Sequence, residues 1–171
     1  MAISVKRQSG VGMVEILVAL LVLAIGVLGY AGLQLHALHG SETADVRARA
    51  TMLARDAVER AQVNPGSDYT TGAWSQNTLA PGSAPSSGNT CIANACDSAA
   101  MMAWDVKQLT WQAANTLPGG RIDMESCSPI SGATSQCVVV SWGDQTPSSC
   151  ISGGSVDTGQ DSKCVVMEVA P

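Results

Sequence analysis

From Ile16 to Ser41 the chain carries no Asp, Glu, Lys or Arg. A run of this length can cross a bilayer, which takes ~20 apolar residues in a helix. The first ten residues, Met1 to Gly10, are polar and hold Lys6 and Arg7 but no acid. An ordinary secretory signal places its apolar region ahead of a small-residue cleavage site. Here the order is reversed: the basic leader and Gly10 come first. Positive charge on the short flank holds that flank in the cytoplasm, so the residues after the span are expected on the outside of the inner membrane, in the periplasm.

The cysteines argue for the same side. Cys91, Cys96, Cys127, Cys137, Cys150 and Cys164 all follow the apolar run. An even number confined to one side of a span suggests disulfides in an oxidising compartment. No C-x-x-C pair occurs and His36 and His39 lie far from the cysteines in sequence, so no metal site is expected. Staples are also needed, because charged residues are only 13%, Phe is absent, and a head this small builds a marginal core. Six cysteines permit fifteen pairings. Loop economy selects Cys91–Cys96, Cys127–Cys137 and Cys150–Cys164, each closing a short loop.

The apolar helix should run on into an amphipathic half. Asp45–Arg49 and Asp56–Arg60 are acid-to-base pairs four apart, and Val46, Ala50, Leu53, Ala57 and Ala61 form one apolar stripe. Asn64-Pro65-Gly66 ends it. The expected fold is α+β: a leader over 1–10, a long helix over 11–63 with 16–38 in the membrane, and a periplasmic head over 64–171. In the head, 65–97 reads as a long loop pinned by the Cys91–Cys96 ring. A second helix is expected from Ser98 to Leu117, capped by Asp97 or Ser98. Met102, Val106, Leu109, Ala113 and Leu117 make its apolar face. Trp104 and Trp111 lie opposite, either under the loop or as an exposed contact patch. Strands are expected at 121–127, 137–142 and 163–169, with 128–136 and 143–162 as loops.

Enzymatic chemistry is not expected, and no catalytic residue is assigned. The head has no histidine, so no Ser–His or Cys–His pair can form there, and no phosphate-binding glycine motif occurs. Asp157 and Asp161 sit in a Gly-rich loop where calcium is conceivable, but solvated loop acids are far more common. Net charge is −5, and after Arg60 only Lys107, Arg121 and Lys163 face nine acids, which argues against nucleic acid as a partner. Gly26, Gly29 and Gly32 fit a membrane helix, where Gly is common; local unwinding is the alternative.

Glu15 is the exception in the apolar segment. A carboxylate beside hydrocarbon costs ~2.5–3.5 kcal/mol at a helix centre unless it finds a partner. If the chain is cut after Gly10, a new amine at Val11 stands one helical turn away, on its own chain or a neighbour's.

Gly10-Val11-Gly12-Met13-Val14-Glu15, behind a short basic leader and ahead of an apolar helix, resembles the class III (prepilin) signal. The first residue after the cut is Val where that family usually has Phe or Met, and the second is Gly. The run Glu15-Ile16-Leu17-Val18-Ala19-Leu20-Leu21-Val22-Leu23, then Ile25-Gly26-Val27-Leu28-Gly29, resembles the PilV family of type IV pilus minor pilins. Leu117-Pro118-Gly119-Gly120 and Val140-Ser141-Trp142-Gly143-Asp144 extend the resemblance into the head. The resemblance implies cleavage between Gly10 and Val11 by a prepilin peptidase, methylation of the Val11 amine, and an assembly role for Glu15. It also implies other minor pilins, the major pilin, a pilus tip adhesin and inner-membrane lipid as partners, with no cofactor. The implied function is priming pilus assembly and forming the tip complex, in support of twitching motility and adhesion. A type II secretion pseudopilin is the alternative, and a membrane-tethered ligand-binding module a third reading.

Overall fold

The computed structural model describes residues 10, 12–74, 91–92, 94–127, 136–152, 155–159 and 161–169. The chain divides into two compact units, Met1–Thr43 and Ala44–Pro171. The first unit holds the early part of helix α1, which spans Met13–Val63. Every described side chain from Gly12 to Thr43 is exposed. An 18-residue window within α1 has a mean hydropathy of 2.6 with none of it buried, long and apolar enough to cross a membrane. A helix that is apolar on all sides and covered by nothing needs an apolar solvent.

The second unit begins with the rest of α1, which changes character at Ala44. Here Ala50, Leu53, Ala54, Ala57 and Ala61 are buried on one side, with Val46 and Val58 half-buried beside them. Four of those five buried residues are alanines, which let the helix approach its neighbours closely. The Arg49–Asp45 pair at 2.8 Å lies on the exposed side. A 3-10 turn, Tyr69–Thr71, follows, capped by Asp68 accepting from the Thr70 amide. Helix α2, Ser98–Thr116, starts where the Asp97 carboxylate accepts from the Ala100 amide. It buries Val106, Leu109, Ala113 and the succeeding Leu117.

Strands β1 (Arg121–Ser126), β2 (Gln136–Ser141) and β5 (Cys164–Val169) form an antiparallel sheet in the order β1-β2-β5. Ile122 and Met124 of β1 join Val138 and Val140 of β2 in the main core with Tyr69, Trp74 and Trp142. The central strand is buried on both faces. Its Val139 packs with Cys150, Cys164, Ile151 and Val166 in a smaller cluster.

The 143–162 segment is more ordered than the loop expected there. It holds a single helical turn, α3 (Pro147–Cys150), and a hairpin of β3 (Ile151–Ser152) with β4 (Ser155–Val156). Pro147 presets the first helical position, and the Ser149 hydroxyl accepts from the Thr146 amide at 3.1 Å. Such short elements have too few residues to show a hydropathy period. The expected loop at 128–136 differs at its end, where Gln136 already belongs to β2; residues 128–135 lie outside the described residues. So do 75–90 and 93 of the expected 65–97 loop.

The chain returns from α2 to the sheet through Leu117-Pro118-Gly119-Gly120. Gly119 has φ +62° and Gly143 has φ +67°, a region most side chains avoid. The two turns meet: the Gly143 amide donates to the Pro118 carbonyl at 2.7 Å. Arg121 Nη1 ties the same corner by donating to the Gln145 carbonyl at 2.8 Å. At Gly120 a methyl group would lie 2.1 Å from the Ala113 carbonyl oxygen and 2.6 Å from the Leu117 Cβ. Gly120→Ala is therefore expected to displace the end of α2 and cost about 1–3 kcal/mol, the usual range for overpacking. Thermal unfolding of the full-length protein in detergent checks this; an unchanged midpoint would contradict it.

Candidate functional site

Two regions carry residues of functional interest, and each belongs to one unit. The first is the start of α1. Gly10 is exposed, with open space around its Cα, and Val11 lies outside the described residues. Helical hydrogen bonding begins just beyond, where the Glu15 and Ile16 amides donate to the Gly12 carbonyl at 3.0 and 3.3 Å. Glu15 stands in the first turn, where a negative charge suits the helix dipole. Its side chain takes part in no ion pair among the described residues. Gly10 thus precedes the helix, and Glu15 is exposed on its first turn.

The second region is where the head unit grips its part of α1. Asp105 on α2 is 5% exposed. Its Oδ1 accepts from Arg60 Nη1 at 2.8 Å, and its Oδ2 accepts from the Tyr69 hydroxyl at 2.7 Å. Arg60 also donates to Asp56 from Nε at 3.0 Å and Nη2 at 3.2 Å. Asn64 Nδ2, at the helix end, donates to the Ser98 carbonyl at 2.8 Å. Trp74 Nε1 donates to the Tyr69 carbonyl at 2.9 Å. One buried carboxylate thereby joins α1, the 3-10 turn and α2. Burial pulls the Arg60 guanidinium down, but its bonds to Asp56 and Asp105 outweigh that and hold it above its ordinary value. Burial, helped by donation to Asp105, pushes the Tyr69 phenol up to about 12.

A second arginine holds the same helix nearer the start of this unit. Arg47 Nη2 donates to the Ser162 carbonyl at 2.6 Å, and its guanidinium lies 5.9 Å from the Trp142 ring centroid, within cation–π range. Neither arginine contact is visible in the sequence. Asp56–Arg60 reads there as a surface pair, and only the fold brings Asp105 to it.

Three disulfides staple the head: Cys91–Cys96, Cys127–Cys137 and Cys150–Cys164. The second bridges the end of β1 to β2, and the third ties α3 to β5. Asp157 is occupied within its own loop, accepting from Gln145 Nε2 at 2.9 Å and the Gly159 amide at 3.1 Å. Among the described residues no group of three or more His, Cys, Asp or Glu is placed to hold a metal. Trp104 and Trp111 are half-buried. Of the 65–97 loop expected to cover them, 75–90 and 93 lie outside the described residues.

Two family models match. The prokaryotic N-terminal methylation motif covers residues 5–31, and the model described as type IV pilin Tt1218 covers residues 32–107. The chain thus matches a type IV pilin domain over less than half its length, directly behind a match to the methylation motif. No curated protein and no solved structure matches it. The pilin match runs from mid-α1 to Lys107, so Arg60, Tyr69 and Asp105 all fall within it, whereas the sheet and the Leu117–Gly120 turn lie beyond.

Two outcomes follow for the pilin head. Asp105→Ala should cost roughly 1.5–3 kcal/mol, since it strands hydrogen bonds made to a charged group; Asp105→Asn, which keeps one acceptor, should cost less. Thermal unfolding of both variants decides this. A phenol whose folded value is raised contributes stability that is complete below about pH 10, its unfolded value, and lost as pH climbs through about 12. Tyr69→Phe should remove that alkaline loss, measured as the unfolding midpoint across a range of about pH 9 to 11.5.

Proposed function

We propose that this pilin is a minor subunit of the type IV pilus, of the PilV kind, that primes assembly and joins the tip complex. The observation that carries the reading is the continuity of three parts: a basic leader ending in Gly10, a helix from Met13 that is apolar for its first half, and a pilin domain. The docking of the Leu117–Gly120 turn on Gly143 gives a physical reason for the two head motifs of the resemblance to occur together. Three disulfides beyond the apolar run fit a periplasmic head with the leader in the cytoplasm. Twitching motility and adhesion would depend on the subunit through the fibres it helps to start. Its partners would be other minor pilins, the major pilin, a tip adhesin, the prepilin peptidase and inner-membrane lipid.

Processing separates Gly10 from Val11, and the freed amine is methylated. In a bundle of apolar helices an unpaired carboxylate is costly. Glu15 offsets that cost by pairing with the Val11 amine of an adjacent subunit, which it meets in one axial register only. The pair contributes specificity as well as energy, the better-attested use of buried ion pairs.

Intact-mass analysis from native membranes should show loss of the first ten residues and gain of one methyl group. Glu15→Val should be processed and inserted normally, because the span is lengthened and Gly10 is untouched. It should be depleted from sheared fibres and reduce surface piliation. Normal incorporation of the processed variant would overturn the role of Glu15. Copurification with secretion components instead of pilus subunits would favour a type II secretion pseudopilin.

A further inference from the structure

The outer face of the sheet carries acids where its neighbours are apolar. Strand alternation turns Ile122 and Met124 into the main core, and so puts Asp123 and Glu125 on the opposite face. Their cross-strand partners on β2 are Val139 and Cys137, both buried. Glu125 Oε1 is buried and accepts no hydrogen bond among the described residues. Asp123 accepts one, from the Met124 amide at 2.8 Å.

Two of the three cations that follow Arg60 are engaged elsewhere. Arg121, on the same strand face, donates to the carbonyls of Gly143 and Gln145. Lys163 pairs with Asp144. Of the elements packed on β1, α2 carries Asp105, committed to Arg60 and Tyr69, and Lys107, which is in none of the ion pairs among the described residues. The 3-10 turn brings its cap Asp68, held by Thr70 and Gln136, and α3 brings no titratable group. Across β2, Glu168 of β5 stands opposite Cys137, in the same transverse row as Glu125.

We propose that Asp123 and Glu125 form a proton-binding pair that tightens the sheet of the head when the surroundings acidify. A carboxyl oxygen buried beside apolar neighbours without a donor, as Glu125 Oε1 is, favours the neutral form. Burial raises both groups, and at Glu125 the charge of Asp123 adds to the effect, while at Asp123 the Met124 amide opposes it. The linkage sign follows. A carboxyl raised on folding contributes stability that is complete below its unfolded value, ~4, and is lost as pH rises through its folded value. The head therefore gains stability on acidification from neutrality, opposite to the usual effect of paired carboxylates.

The test compares unfolding midpoints of the full-length protein in detergent, read by its tryptophans, at about pH 7.5 and about pH 5. The wild type should unfold a few degrees higher at the lower pH, the size of shift that a modest gain in stability gives a small domain. Glu125→Gln should raise the midpoint at the higher pH and remove most of the difference between the two conditions. Asp123→Asn should remove part of it. A difference that survives in the Asp123→Asn/Glu125→Gln double variant would overturn the proposal. So would a lowered midpoint at the higher pH in both single variants, because the carboxylates would then be serving as anions.

Discussion

The head is organised around the Asp105 carboxylate. It lies among apolar side chains, where an unpaired charge would be costly, and it is tolerated because both oxygens are used. One accepts from Arg60 on α1 and the other from Tyr69 on the 3-10 turn. Since Asp105 itself belongs to α2, three elements separated in sequence are fixed by one group. Replacing such a cluster by well-packed apolar residues is often neutral or stabilising. Its value lies in geometry: Arg60, Asp105 and Tyr69 satisfy one another only when this part of α1 has one rotation and one axial position relative to α2.

That selectivity matters because the α1 stripe alone discriminates poorly. Ala50, Ala54, Ala57 and Ala61 are nearly interchangeable, and a one-turn slip would exchange one methyl group for another. Arg60 near the end of the helix and Arg47 beside Trp142 bind it at two heights, roughly 20 Å apart at ~1.5 Å per residue. A slip would break both. The disulfides serve the rest of the head, where apolar area is scarce: two of them reach the central strand and its neighbour β5 directly. They limit the freedom of the unfolded chain without needing a larger core.

Long periodic elements are legible in the sequence and short ones are not. The second helix, expected over Ser98–Leu117, spans Ser98–Thr116, because its apolar face repeats along its whole length and Asp97 caps it. The continuous run Cys137–Val140 marks the central strand, which is buried on both faces. The turn Pro147–Cys150 and the β3–β4 hairpin leave no such mark, since their bonds are made by hydroxyl and main-chain groups that have no period. The Asp105 cluster is hidden for a different reason. Its members are spread along the chain from Asp56 to Asp105, and each taken alone resembles a surface residue. The closest hint is spacing: Asp105 stands three residues after Met102 and four before Leu109, on the apolar face of α2. Which residues meet the outer sheet face is likewise invisible until the β1–β2 register places Glu125 opposite a disulfide.

The two halves of α1 obey different solvation rules although they are written in one helix. Between Ile16 and Ser41 no charged residue occurs, whereas Glu42, Asp45, Arg47, Arg49, Arg55, Asp56, Glu59 and Arg60 crowd the stretch that follows. Either pattern would fail in the other's place. A single arginine moved into the apolar half would cost ~2.5–3.5 kcal/mol at the centre of a bilayer. An apolar residue in place of Arg60 would strand the buried Asp105, a cost that no gain in apolar area at that half-exposed site would offset. In hydrocarbon, moreover, one aliphatic side chain is much like another, so the apolar half can carry a chemical label only as a charge. Under the proposed role Glu15 would be that label, its charge offset where a partner amine meets it. The head half, bathed in water, can use many charges cheaply and so derives its specificity from several weak fixings at once. Specificity in the first half must instead rest on one strong one, which is why the role proposed for this subunit turns so heavily on a single carboxylate.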